Sequence, residues 1–167
     1  MPLKYLKGYP QALLDQARDL IEAGELALLL QRKYGVRHEV SNDRALYAYV
    51  QDLKSRYLKN APPLALVTYD SRIQPVQHAL GLNIAQSKIH GSRLKNRNEI
   101  RIATLFKTAP AAFLRLIVVH ELAHLKQKSH DKAFYQLCSH MEPDYFQLEF
   151  DLRLYLTQCD IDAAARD

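Results

Sequence analysis

A five-residue motif, His120-Glu121-Leu122-Ala123-His124, constrains this chain more than any other feature. In a helix, residues four apart lie about 40° apart around the axis and roughly 6 Å apart along it, so two imidazoles at this spacing can bind one metal ion. Catalytic zinc sites take three protein ligands and keep one position for water. Glu121 lies on an adjacent face, where it can act as general base on that water. The motif therefore predicts two zinc ligands and a catalytic base within one turn.

The segment before the motif is strongly apolar. Residues 111–119 are apolar apart from Arg115, which predicts a buried helix. Two histidines on such a helix can be ordinary core residues, and a bare motif of this kind also arises by chance. Burying His120, Glu121 and His124 in adjacent turns nevertheless costs several kcal/mol unless they are paired or metal-bound. We therefore favour the metal site.

A third ligand is expected at His130. On an unbroken helix, His130 would lie about 15 Å along the axis from His120, which is too far to share an ion. The motif helix must therefore end near residues 126–129, and the chain must turn back. Ser129 is suited to cap a new helix with Asp131 in its first turn. This arrangement predicts His130 at the start of that helix, facing the metal.

Other residues compete for the third ligand position. His130 could instead be a capping or surface histidine. His140 lies ten residues further on, and its surroundings predict an exposed side chain, so it ranks second. Glu142 and Glu149 are carboxylates of the kind that some zinc peptidases use as ligands.

The composition predicts one soluble, cytoplasmic domain over residues 1–167. The chain is 48% hydrophobic and 25% charged, an ordinary globular mixture. Cys138 and Cys159 form no pattern and predict reduced thiols, and residues 1–19 lack the apolar core of a signal peptide. No run approaches the roughly 18 apolar residues of a membrane helix, so no membrane partner is expected.

Helical periodicity predicts three further helices. They are residues 10–34, residues 42–59 and residues 144–158. Gly24 can interrupt the first helix, and Ser41 or Asn42 is suited to cap the second. The tail from Asp160 onwards is expected to fray.

Alternating apolar and polar residues predict three strands, at 66–69, 82–90 and 99–104. We expect these strands to form a small antiparallel sheet. The predicted fold is therefore α+β: a helical part over 1–60, then a small antiparallel sheet within 61–167 that packs against the zinc-binding helix.

A basic cluster precedes the motif helix. Its members are Arg93, Lys95, Arg97 and Arg101. The simplest interpretation is a solvated hairpin tip, and the functional one is a patch that binds an anionic or extended substrate. The net charge of +5 and the pI of about 9.2 make phosphate-bearing partners possible. Nucleic acid is a possible partner, although no motif for its recognition is present.

Residues 118–126 and 129–134 resemble the YgjP-like metallopeptidase family, and shorter segments across nearly all the chain are similar to it too. The resemblance implies a zincin-like fold related to the SprT-like zinc peptidases. It implies that His120, His124 and His130 bind Zn²⁺ and that Glu121 is the catalytic base. The family is also associated with nucleoside-triphosphate pyrophosphatase activity on UTP, which the basic cluster would suit.

Three functions therefore compete. The first, which the motif favours, is a zinc-dependent metallopeptidase in which metal-activated water attacks a peptide bond with Glu121 as general base. The second is a nucleoside-triphosphate (UTP) pyrophosphatase that uses the same metal site. Against it, the sequence contains no glycine-rich phosphate-binding loop. The third is a nucleic-acid-associated repair peptidase of SprT type.

Overall fold

The computed structural model describes residues 3–73 and 98–167, and in this part of the chain it contains six α-helices and two β-strands. In chain order they are α1 (Gln11–Glu22), α2 (Leu26–Lys33), α3 (Asp43–Tyr57), β1 (Leu66–Asp70), β2 (Glu99–Ala103), α4 (Ala111–Ala123), α5 (Lys132–Met141) and α6 (Tyr145–Arg166). Single 3₁₀ turns cover Lys4–Leu6 and Thr104–Lys107. The predicted strand at 82–90 lies outside the described residues.

The chain forms two compact units. One consists of Met1–Val36 with Phe146–Asp167, and the other is Arg37–Tyr145. The interpretation of residues 1–167 as a single domain stays a prediction.

In the first unit, the predicted helix over 10–34 is interrupted at Gly24, as its sequence allowed. Gly24 has a φ of 71°, a left-handed conformation that favours glycine, and α2 starts two residues later. The buried core of this unit consists of aliphatic side chains from α1, α2, α6 and the N-terminal segment. They are Leu3, Leu6, Ala17, Leu26, Leu30 and Leu154.

Helix α6 is longer than predicted. The prediction ended it at residue 158 with a frayed tail, but the helix continues to Arg166. Two contacts involve the additional turns: within the helix, Gln158 donates a hydrogen bond to Asp162 at 2.8 Å, and from the N-terminal segment, Lys4 forms an ion pair with Asp160 at 3.0 Å. These contacts stabilise the last turns of α6, which the sequence analysis expected to fray.

The second unit contains the sheet, and the prediction of antiparallel strands is wrong for the two strands that the structure describes. β1 and β2 run parallel, with Leu66 opposite Glu99 and Asp70 opposite Ala103. Parallel strands need a connection of about a dozen residues or more, and the chain has that length between Asp70 and Glu99. An alternating pattern marks one buried face in either direction, so it could not distinguish the two arrangements.

Helix α4 is held in the centre of the second unit. It contacts β2, α3 and α5, and its apolar side chains are buried on all sides. α3 packs on β1 and begins as predicted, because the Asn42 side chain accepts a hydrogen bond from the backbone N–H of Ala45 at 2.8 Å. The sheet and α3 thus provide a rigid support for the motif helix.

Cys138 is buried and Cys159 is half-buried, and neither forms a disulfide. Across residues 3–73 and 98–167, no helix combines the length and apolar character that a membrane span requires.

Candidate metal centre

Helix α4 carries the first part of the motif and ends within it. Pro110 precedes the first residue, and the helix runs to Ala123, with His124 as its C-cap in a right-handed conformation. One further turn follows, in which the N–H of Gln127 donates to the Ala123 carbonyl at 2.9 Å. His120 and His124 are therefore displayed on the last turn of a buried helix.

The chain then turns back, so that His130 precedes the next helix. The predicted cap, Ser129, is wrong. Asp131 is the cap of α5, and its carboxylate accepts a hydrogen bond from the N–H of Phe134 at 2.9 Å. His130 thus lies in the loop rather than in the first turn of α5. Asp131 takes the role predicted for Ser129 because its carboxylate meets the N–H of Phe134 three residues further on, the bond that an N-cap side chain makes.

The three histidines converge through their Nε2 atoms. The Nε2 atom of His124 lies 3.3 Å from that of His120 and 3.0 Å from that of His130. The third distance, between His130 and His120, is 3.3 Å. Across residues 3–73 and 98–167, no other group of three His, Cys, Asp or Glu side chains converges in this way.

The hydrogen bond of His124 determines which of its ring nitrogens is free to bind a metal. Its Nδ1 lies 3.0 Å from the Gln127 carbonyl oxygen, which can only accept. Nδ1 therefore carries the proton, and the lone pair of Nε2 points to the other two histidines. Burial lowers the pKa of His124 to about 4, assisted by the nearby His130. His130 has its pKa lowered by burial as well, so both rings are neutral at pH 7 and can donate to a metal.

His120 has a partner that the sequence analysis did not identify. Its Nδ1 lies 2.8 Å from the hydroxyl of Tyr145, which is completely buried. Tyr145 lies within the helix predicted over residues 144–158, and that helical spacing gave it no role in the metal site. No local pattern could have assigned it to the histidines, because 25 residues separate it from His120.

An aromatic ring lies against all three imidazoles. The centroid of Phe134 is 5.0 Å from that of His120, 4.5 Å from that of His124 and 4.8 Å from that of His130. Phe134 is fully buried. It therefore excludes water from one side of the cluster and limits the movement of the rings.

Glu121 follows His120 on α4, and its side chain is partly buried. Burial raises the pKa of its carboxyl to about 7. A carboxyl with this pKa exchanges its proton close to neutral pH, which is the property required of a general acid or base.

A family model described as YgjP-like, metallopeptidase domain, matches residues 19–155. The chain belongs to the YgjP-like family. Membership of this family indicates a hydrolase, and the histidine triad indicates a metal ion. The chain is also 55% identical, over 159 residues, to a protein of Escherichia coli (strain K12) named UTP pyrophosphatase, with 95% of each chain covered. No solved structure matches the chain significantly.

Within this YgjP-like chain, the competing ligand candidates lie outside the histidine cluster. His140 is exposed and packs edge-on against Tyr57, with ring centroids 5.6 Å apart. Glu142 accepts a hydrogen bond from Arg115 Nε at 2.9 Å. Glu149 accepts one from Arg153 at 3.4 Å.

The basic cluster is only partly described. Arg93, Lys95 and Arg97 lie outside the described residues. Arg101 lies on β2, where it forms ion pairs with Asp70 at 3.2 Å and with Glu99 at 3.1 Å. Its guanidinium therefore already interacts with two carboxylates.

Proposed function

We propose that this YgjP-like chain is a zinc-dependent hydrolase in which His120, His124 and His130 hold the metal and Glu121 is the general base. The triangle of Nε2 atoms, with edges of 3.0, 3.3 and 3.3 Å, carries the proposal. Ligands about 2.0–2.1 Å from a tetrahedral zinc ion lie roughly 3.3–3.4 Å from one another. Without a cation, lone pairs at this separation would repel. The nitrogen donor set suits zinc.

The residues around the triad fit this chemistry. A bound zinc ion would act as a Lewis acid towards water and substrate. His124 is held by the Gln127 carbonyl, so its Nε2 remains an electron-pair donor. The carboxylate of Glu121 would take a proton from the attacking water and later release it.

For the substrate, we propose a nucleoside triphosphate, with UTP as the first candidate. The support is the 55% identity over 95% of both chains to the protein named UTP pyrophosphatase. The oxygen of water would attack the α-phosphorus, and the bond between that phosphorus and the α,β-bridging oxygen would break. The products are UMP and pyrophosphate, and the proton of water passes to Glu121.

The negative charge of the triphosphate needs cationic partners. We propose that Arg93, Lys95 and Arg97 supply them. Arg101 takes a smaller part, because Asp70 and Glu99 already occupy its guanidinium.

A peptidase is the second candidate, and the description of the matching family model favours it. The same general base and Lewis acid would serve amide hydrolysis, with an extended peptide as substrate. Both candidates use the same histidines, so only the substrate distinguishes them.

One experiment separates the candidates. Zinc-loaded protein and its Glu121→Gln variant are incubated in parallel with common nucleoside triphosphates and with a panel of unfolded proteins. We expect pyrophosphate release from UTP that depends on Glu121, and no proteolysis. Peptide cleavage without pyrophosphate release would overturn the nucleotide proposal in favour of a peptidase. Cleavage only when DNA is added would support a nucleic-acid-associated repair peptidase instead.

A further inference from the structure

We propose that Tyr145 is a positioning residue that orients His120 and determines how tightly the centre holds its metal. This inference rests on the proposed metal site. Tyr145 is completely buried, and its hydroxyl oxygen lies 2.8 Å from Nδ1 of His120, on the opposite side of the ring from the converging Nε2 atoms. Among the three histidines, His120 is the most deeply buried, so the orientation of its ring depends on protein contacts rather than on solvent.

The chemistry of a histidine ligand requires such a partner. An imidazole that binds through Nε2 carries its proton on Nδ1, and that N–H needs an acceptor. For His124 the acceptor is the backbone carbonyl of Gln127. For His120 it is the Tyr145 hydroxyl, a side-chain group that one substitution can remove without altering the backbone. A hydroxyl also donates, so Tyr145 can remain bonded to His120 in either ring tautomer.

The position of Tyr145 is itself fixed from helix α4. The N–H of Tyr145 donates to the Glu142 carbonyl at 3.0 Å. The Glu142 carboxylate accepts a hydrogen bond from Arg115 Nε at 2.9 Å, and Arg115 Nη2 donates to the Met141 carbonyl at 2.8 Å. Arg115 and His120 both belong to α4. The contacts therefore form a closed path that begins and ends on the helix carrying the first ligand, so His120 and its partner cannot shift independently.

The test uses Tyr145→Phe, with Tyr69→Phe as matched control. Tyr69 is also buried in the second unit, but its hydroxyl donates to the Val40 carbonyl. Zinc affinity is measured by competition with a chromophoric chelator, and thermal unfolding is recorded with and without zinc. We expect Tyr145→Phe to bind zinc about 10–100-fold more weakly, the usual effect of losing the partner of a ligand histidine. Tyr69→Phe should lower the melting temperature while zinc affinity stays unchanged.

The outcomes distinguish this inference from the proposed function. If the wild-type protein binds zinc and the zinc dissociation constant of Tyr145→Phe lies within twofold of the wild-type value, the positioning role is overturned and the metal site stands. If the wild-type protein binds no zinc, the metal site fails and the positioning role fails with it. If Tyr145→Phe does not fold, Glu142→Gln replaces it, because this change weakens the Arg115 contact that fixes the position of Tyr145, while the Tyr145 hydroxyl and the three histidines are retained. We then expect zinc binding several-fold weaker than wild type, and unchanged binding would overturn the inference.

Discussion

His124 and His130 bring their Nε2 atoms to within 3.0 Å of each other, although they are six residues apart in the chain. On a continuous helix, residues at that spacing would be about 9 Å apart along the axis and on different faces. The end of α4 at Ala123 removes this restriction. The loop to Asp131 then returns His130 to the last turn of α4. The interruption of the helix therefore creates the three-histidine arrangement.

His130→Ala should abolish tight metal binding, because two imidazoles on one helical turn leave a zinc ion with too few protein ligands. We expect zinc content of the purified protein to fall from about one ion per chain to near zero. His140→Ala is the matched control, since His140 is exposed and packs against Tyr57. Equal zinc content in both variants would show that His130 is not a ligand.

Glu121→Gln keeps the size of the side chain and removes its basicity. We expect turnover to fall about 10²–10⁴-fold, the usual contribution of a positioned acid–base group. Zinc content, measured by atomic absorption, should stay near the wild-type value, because the proposed metal ligands are the three histidines and not Glu121. Parallel loss of zinc and activity would instead make Glu121 a ligand or a structural residue.

Removal of the metal should destabilise the protein. The Nε2 atoms of the three histidines lie within 3.3 Å of one another, and without a cation these electron-rich atoms would repel. Zinc at 100 times its dissociation constant should stabilise the folded state by about 2.7 kcal/mol. For a chain of this size, that corresponds to a rise in melting temperature of roughly 5–11 °C.

Calorimetry after treatment with a chelator, followed by addition of zinc, measures this difference. Magnesium is the control ion, because it prefers oxygen ligands and should restore little of the stability. A melting temperature that does not respond to zinc would contradict the metal site.

Asp70 should make stability depend on acid pH. The hydrogen bonds from Arg72, together with that from Arg101, hold the pKa of its carboxyl well below the ordinary value of 3.8. The folded-state pKa is lowered, so this stabilisation is present above pH 3.8 and is lost as the pH falls below it.

Asp70→Asn should therefore be about 1 kcal/mol less stable than wild type at pH 7, with a difference that shrinks below pH 4. Denaturant unfolding at several pH values measures it. Asp52→Asn is the control, because Asp52 forms an exposed pair with Arg56 within α3. A difference that stays constant down to pH 2 would contradict the ion-pair explanation.

The basic cluster should affect substrate binding unequally. We expect Arg93→Gln, Lys95→Gln and Arg97→Gln each to raise the KM for UTP, more strongly at low salt, because dissolved ions screen the attraction between these charges and the triphosphate. Arg101→Gln should instead lower stability, since Arg101 pairs with Asp70 and Glu99. Steady-state kinetics at two salt concentrations and thermal unfolding measure the two effects. If Arg101→Gln raised the KM for UTP and the other three substitutions did not, Arg101 would be the substrate-binding residue instead.

The local features of the fold could be predicted from the sequence. The i, i+4 spacing of His120 and His124 places them on one helical face whatever the rest of the chain does. The Asn42 cap and the Gly24 interruption are likewise confirmed, because both depend on the backbone conformation of a few consecutive residues. The apolar run of α4 also predicted its burial, because a helix that is apolar on all sides is stable only when it is buried.

The tertiary structure decided what depends on contacts between distant residues. Tyr145 meets His120 across 25 residues, and Asp70 meets Arg101 across 31. Neither pair leaves a periodic signal in the sequence. The direction of the strands was also open, because alternation with a period of two identifies a buried face in parallel and antiparallel sheets alike. The sequence by itself determined the first two histidines and the carboxylate between them. Only the folded chain decided how the third histidine reaches them, because that depends on where α4 ends and how the loop returns.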